Sequence, residues 1–143
     1  MTAAPQNPQK TTASPRLRKP PSRIRPHILM IDDEPQILDV VRSLLGARGF
    51  EVLTATNGAD GLQQAVEEHP RLILLDIRMP VMDGYVVLFH LKHHPQTKHI
   101  PVIMLTAIGE TSSIFRTKEL QATDYMIKPF DVGELATLIR RYI

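Results

Sequence analysis

From His27 onward the apolar positions repeatedly change their period. Ile28–Ile31 is an unbroken apolar run that ends in Asp32-Asp33-Glu34-Pro35. Ile37, Leu38, Val41, Leu44 and Leu45 then recur at helical spacing, with Pro35 suited to the first turn and Gly49 to the stop. Val52 and Leu53 mark a second short strand before Asn57-Gly58. Leu62, Ala65 and Val66 predict a second helix, closed at His69-Pro70. Leu72–Leu75 is again unbroken and again runs into an acid, Asp76. The loop Arg78-Met79-Pro80-Val81-Met82 leads to Asp83-Gly84 and a third helix to about Lys92, with Asp83 as its N-cap. Val102–Leu105 forms a fourth strand ending at Thr106, and a polar, weakly patterned helix is predicted over about 110–121. Tyr125–Ile127 is a short strand that ends at Lys128-Pro129. Asp131 with Glu134 three residues on has the form of a capping box, and Leu135, Leu138, Ile139 and Tyr142 supply the last apolar face.

These are five β–α units. Unbroken apolar strands between amphipathic helices predict a parallel sheet covered on both faces. Ligands of such open sheets bind at the carboxyl ends of the strands, and there the sequence places Asp32, Asp33, Asp76, Thr106 and Lys128. Any one of these alone reads as a helix cap or a solvated charge. Together they put three carboxylates, a hydroxyl and an ammonium on one rim. Carboxylates packed together repel unless a cation sits among them, and an all-oxygen set suits a hard ion such as Mg²⁺. An Asp beside Mg²⁺ can attack phosphorus to form an acyl phosphate. Lys128 and the metal would offset charge on the phosphoryl oxygens, and Thr106 would donate a hydrogen bond to one of them. The chemistry points to phosphoryl acceptance on an aspartate.

Composition narrows the class. The 143 residues are 43% hydrophobic and 22% charged, as in a globular domain. There is no Cys, which excludes a disulfide scaffold, a zinc-thiolate site and a Cys nucleophile. No apolar run approaches a membrane span and no secretory signal opens the chain, so a cytoplasmic protein without membrane contact is expected. The net charge of +2 hides a division. Residues 1–26 hold six cations, six prolines and no acid, whereas 27–143 carry eleven cations against fifteen acids. Such a leader cannot bury enough surface to order itself and is expected to be disordered, ahead of a folded domain over 27–143. Its charge suits either a basic arm for nucleic acid, membrane or an acidic partner, or a plain solvated extension. Without aromatics or helical periodicity, only a weak nucleic-acid contact is expected of it.

The stretches "ILMIDDEP", "LILLDIRMPVMDGY", "IPVIMLTA" and "TDYMIKPF", in this order and spacing, resemble the receiver domain of two-component response regulators, similar to the single-domain chemotaxis type. The resemblance covers essentially everything from His27 to Ile143. It implies a flavodoxin-like α/β fold, doubly wound, with five parallel strands in the order 2-1-3-4-5 and helices on both faces. It implies Asp76 as phosphoacceptor, with Asp33 and Asp76 binding Mg²⁺ directly, Asp32 through water, and the backbone carbonyl of Arg78 completing the protein ligands. Thr106 and Lys128 would contact the phosphoryl group. Tyr125 would be the aromatic switch, and the peptide before Pro129 is often cis in the family. The implied partners are a sensor histidine kinase or a histidine phosphotransfer protein, and a downstream protein bound by the face of the fourth helix, fifth strand and fifth helix. Two departures stand out. Gln121 occupies a position where receivers often have Gly at positive φ, at a steric cost, and the fourth helix has only Ile114 and Phe115 as apolar anchors.

Other features point elsewhere only weakly. His90, His93 and His94, with His99 nearby, have a spacing that can hold a transition metal, but a cationic cluster at a helix C-terminus before Pro95, where the dipole favours it, is the reading preferred here. Met79 and Met82 read as loop packing, and Gly58 and Gly61 as helix-start residues rather than a phosphate cradle. An aspartate-nucleophile phosphohydrolase would need a general acid and a capped substrate pocket, for which no insertion is long enough. A transcription factor would need an effector domain, and none is expected after Ile143. The expected function is a phosphorylation-controlled switch that transfers and hydrolyses only its own phosphoryl group, with a phosphorelay shuttle as the alternative.

Overall fold

The computed structural model describes residues 27–107, 116 and 118–143. The expectations for the leader, and for Ile114 and Phe115, lie outside the described residues. Five strands, β1 (His27–Ile31), β2 (Glu51–Ala55), β3 (Leu72–Asp76), β4 (Val102–Ala107) and β5 (Asp124–Lys128), form one parallel sheet in the order β2-β1-β3-β4-β5. The described helices are α1 (Pro35–Gly46), α2 (Gly58–Glu68), α3 (Gly84–Lys92) and α4 (Val132–Arg140), the last being the fifth helix of the sequence pattern. Between β4 and β5, Arg116, Lys118 and Glu119 have helical backbone.

The strands bury both faces, so their apolar runs are unbroken rather than alternating. Ile28, Met30, Leu72, Leu74, Ile103 and Leu105 pack with α1 and α4. Their strand neighbours Leu29, Ile31, Ile73, Leu75, Val102 and Met104 pack on the opposite side with α2 and α3. The period of two in side-chain direction thus builds two cores from one sheet.

Helix ends follow local chemistry, with two corrections. Asn57 and Asp83 cap α2 and α3 by accepting from Asp60 N–H and Val86 N–H. Helix α1 stops at Gly46 rather than at Gly49. The Phe50 N–H returns to the Leu45 carbonyl, and Gly49 takes φ +96° inside the turn that redirects the chain into β2. At α4, Asp131 accepts from Gly133 N–H at 3.3 Å, one residue short of a capping box, and among the described residues Glu134 makes no return bond. Gln121 does hold φ +69°, the left-handed conformation that favours Gly.

Candidate functional site

The site grows from the carboxyl ends of β1, β3, β4 and β5. Because the sheet is parallel, all four ends meet at one edge, and β3 is its central strand. Asp76 closes β3 and is almost wholly buried, and Asp32, just past β1, is completely so. One Asp32 oxygen accepts the Glu34 N–H at 2.9 Å and the other lies 3.4 Å from Lys128 Nζ. Asp32 therefore does the capping that Glu34, at the N-cap of α1, does not do with its own side chain. Lys128 Nζ donates to Asp76 Oδ1 at 3.0 Å. One oxygen each of Asp32, Asp33 and Asp76 lie within 4.8 Å of one another. Asp33, Asp76, Arg78 and Lys128 line one open cavity of about 350 Å³.

The electrostatics show a cluster short of positive charge. Burial first, and then the Asp32 carboxylate, raise the Asp76 pKa from 3.8 to about 6, against the opposing pull of Lys128. Burial works against the Lys128 ammonium, but its bonds to Asp76 and Asp32 outweigh that and raise its pKa. Crowding adds to burial at Asp76, whereas at Lys128 the two neighbouring carboxylates, Asp76 and Asp32, overcome burial. A divalent cation would supply the missing charge, and an all-carboxylate donor set fits Mg²⁺. A second observation fits an incoming oxyanion. Thr106 ends the run of buried β4 residues at 2% exposure, and its hydroxyl has no hydrogen-bond partner among the described residues. A buried hydroxyl left unpaired costs about 1–3 kcal/mol, which a phosphoryl oxygen at this rim would relieve.

The acceptor loop is held by backbone contact. Gly84 N–H donates to the Ile77 carbonyl at 2.8 Å, and a Cβ on Gly84 would stand 2.4 Å from the Asp76 carbonyl oxygen. Only Gly fits there. The Lys128–Pro129 peptide is cis, as the resemblance implied. Tyr125 is half-buried and packs against the α2–α3 core rather than lining the cavity.

Residues 28–140 match the family model described as the response regulator receiver domain. The chain belongs to this family. It is 41% identical over 115 residues to the DNA-binding dual master transcriptional regulator RpaA of Synechocystis, covering 80% of this chain and 48% of that protein. The chain thus spans about half the length of curated relatives that it matches. Among solved structures it resembles chemotaxis protein CheY4 of Vibrio cholerae, with TM-score 0.78, 29% identity, and coverage of 83% of this chain and 99% of that one. It also resembles the receiver domain of sensor histidine kinase PA1611 of Pseudomonas aeruginosa, solved with magnesium coordinated in its active-site cleft. There the TM-score is 0.76 and the identity 27%, over 82% of this chain and 96% of that one.

Three features of the receiver are not apparent from its sequence. Glu34 lines the cavity although its type and place suggest only a helix start. Val81 is fully exposed in the acceptor loop at φ +69°, a conformation β-branched residues avoid. Arg116 stacks on the Tyr85 ring with Cζ 4.0 Å from its centroid, fastening the segment after β4 onto α3 by a cation–π contact. His90, His93 and His94 line one cavity of about 260 Å³, but among the described residues only the three aspartates bring ligand atoms close enough together to hold an ion. No helix among the described residues is long and apolar enough to cross a membrane.

Proposed function

We propose that this receiver takes a phosphoryl group from a phosphohistidine onto Asp76 and thereby switches a protein-binding face. The observation that carries the reading is the pairing of a nearly buried, central-strand carboxylate with Lys128 at 3.0 Å, beside two further carboxylates and a buried hydroxyl without a partner among the described residues. An Asp76 oxygen attacks phosphorus, the P–N bond to the donor imidazole breaks, and the bond pair leaves on that nitrogen. Asp33, Asp76 and the Arg78 backbone carbonyl would hold Mg²⁺, with Asp32 acting through water; the ion supplies charge neutralisation for the oxygens in transfer. Lys128 and Thr106 orient the phosphoryl group once it is on Asp76. The chain acts as a switch rather than as an enzyme on separate substrates, and it works in the cytoplasm, where kinases present phosphohistidine.

An apolar groove of about 590 Å³ between α1 and the loop after β5 supports a docking place for the donor. Ile37, Val40, Pro129 and Phe130 line it, and it shares Ala107 and Lys128 with the acceptor cavity, so a donor helix seated there reaches Asp76. On the output side, β4 and β5 pair Met104 with Tyr125 and Thr106 with Ile127. Thr106 and Tyr125 therefore share one face, two positions apart. Drawing the Thr106 hydroxyl toward a phosphoryl oxygen opens room for the Tyr125 ring and reshapes the surface around β5 and α4.

Incubation with acetyl phosphate and Mg²⁺ should add one phosphoryl group to the wild type and none to Asp76→Asn. Equal labelling of the Asn variant overturns the assignment. Val40→Asp should slow transfer from a phosphorylated kinase about tenfold, roughly 1.4 kcal/mol, while leaving acetyl phosphate labelling unchanged. Transfer from phosphorylated Asp76 onward to a histidine phosphotransfer protein would mark a relay rather than a terminal switch.

A further inference from the structure

The acceptor loop is strained at its crown and pinned there by a thioether. It runs from Ile77 to Gly84 and is closed at its base by the Gly84 N–H to Ile77 carbonyl bond at 2.8 Å. At the crown, Met82 N–H donates to the Pro80 carbonyl at 2.7 Å, a three-residue turn about Val81 at φ +69°. This is the rare and strained form of that turn, and a β-branched residue makes it costlier. Such strain persists only where the surroundings over-determine it. Val81 is fully exposed, so its own side chain anchors nothing. Met82 does anchor the turn. A Cβ on Gly58, the first residue of α2, would stand 2.9 Å from Met82 Sδ and 2.7 Å from Val87 Cγ2 on α3. The thioether thus lies in a notch that exists because residue 58 has no side chain, and it packs there against the α2–α3 core.

We propose that Met82 is a peroxide-sensitive modification site whose sulfoxide releases the crown of the acceptor loop. Among the described residues Met30, Met79 and Met104 are buried, whereas Met82 and Met126 are half-buried and within reach of hydrogen peroxide. Met126 packs into the core on the α1–α4 side of the sheet, so of these two only Met82 belongs to the acceptor loop. A lone pair on Met82 Sδ attacks one peroxide oxygen, and the S–O bond forms as the O–O bond breaks. The proton on the transferred oxygen passes to the departing hydroxide, which leaves as water. Sulfur is oxidised and the peroxide is reduced. The product is bulkier and polar, in a notch floored by Gly58 and walled by Val87. Neither its size nor its dipole is accommodated there. With the thioether displaced, the Val81 turn relaxes and draws Arg78 and Met79 with it. The consequence for phosphoryl acceptance rests on the Arg78 carbonyl being a Mg²⁺ ligand, as proposed above; the oxidation and the loosened loop do not.

The test treats the full chain with hydrogen peroxide and clears the excess with catalase. Peptide mass spectrometry, metal-free thermal unfolding and Mg²⁺-dependent acetyl phosphate labelling then follow. Met82 should gain one oxygen faster than Met30 or Met104. The metal-free midpoint should fall by about 3 °C. Half-maximal labelling should need about tenfold more Mg²⁺, the lower end of what lost support around a metal ligand costs. Met82→Leu keeps the apolar bulk without the sulfur, so peroxide should leave its own midpoint and Mg²⁺ requirement where they started. Met126→Leu should respond as the wild type does. Reduction of treated wild type by the two methionine sulfoxide reductases should restore both values, a result that needs no substitution. The inference is overturned if Met82 oxidises no faster than the buried methionines, if its full oxidation leaves the midpoint in place, or if Met82→Leu responds to peroxide as the wild type does. Should untreated protein fail to label, the acceptor assignment falls, and the oxidation rates and the metal-free midpoint still decide this inference.

Discussion

The two edges of the sheet are built from the same five strands and hold their charges differently. At the carboxyl edge, acids are drawn inward: Asp32 and Asp76 are buried, bonded to Lys128 and crowded against Asp33. At the amino edge, Arg71, Lys98, His69 and His99 stand exposed in proline-bearing loops. Parallel pairing explains the separation, because it sends every strand's carboxyl end to one side and every incoming loop to the other. Buried charges in close register are suited to chemistry, since each perturbs the others strongly. Exposed charges on short loops are screened and separately solvated, and they suit loose electrostatic contact. One edge is therefore sensitive to single atoms, whereas the other tolerates the loss of a single charge.

The sharpest way to break the contrast is Gly84→Ala. A Cβ there meets the Asp76 carbonyl oxygen at 2.4 Å, backbone against backbone, with no flexible side chain to give way. Overpacking of this kind costs about 3 kcal/mol or more. Urea unfolding should show that loss, and acetyl phosphate labelling should fall with it. A wild-type midpoint would mean that the acceptor loop is not pinned as described.

Next in size is the pH dependence of the rim. The Asp76 pKa is raised on folding, so its protonated form contributes stability that is fully present below about pH 4 and is lost as pH rises through about 6. A shift of about two units corresponds to about 3 kcal/mol. Metal-free protein should thus lose stability between these pH values, and Asp76→Asn should flatten the profile and be the more stable variant at pH 7. Added Mg²⁺ should recover most of the loss in the wild type and little of it in Asp33→Ala. A flat wild-type profile would show that burial and the neighbouring Asp32 do not raise the Asp76 pKa.

The smallest effect belongs to the amino edge. Gln121 ends the segment before β5 at φ +69°, where an L side chain costs about 1 kcal/mol. Gln121→Gly should raise the unfolding free energy by up to that amount, offset in part by the greater freedom of Gly in the unfolded chain. It should leave labelling of Asp76 unchanged. A change in labelling rate instead would mean that strain at this edge is transmitted along β5 to Lys128.

Much of the rim is legible in the sequence. The acids at the ends of Ile28–Ile31 and Leu72–Leu75, the Thr after Val102–Leu105 and the Lys before Pro129 follow from where apolar runs stop. Asp83 is legible as a cap for the same reason. What is not legible depends on contact between distant segments or on the exact path of a turn. Gly49 has the composition of a helix stop, yet α1 ends three residues earlier because Phe50 must turn back to Leu45. The Asp131–Glu134 pair has the spacing of a capping box, yet Asp131 bonds one residue early. The apolar groove beside Lys128 joins Ile37 to Phe130, which no local pattern connects.

By itself the sequence determined the element order, the two-sided burial of the strands and the identity of the rim residues, because each rests on local periodicity and on what a run of side chains can bury. Strand order entered by resemblance and is borne out by the pairing of β2 with β1, β1 with β3, and β3 with β4. Only the tertiary structure decided the electrostatics. The distance from Lys128 to Asp76 spans 52 residues of chain, and the upward shift of the Asp76 pKa comes from burial by segments that no short window contains. The same holds for the Thr106 hydroxyl, which has no partner among the described residues, and for the contact of Arg71 N–H with the His27 carbonyl. A chain can specify its charges in order, but their energies depend on separation and dielectric, and packing sets both.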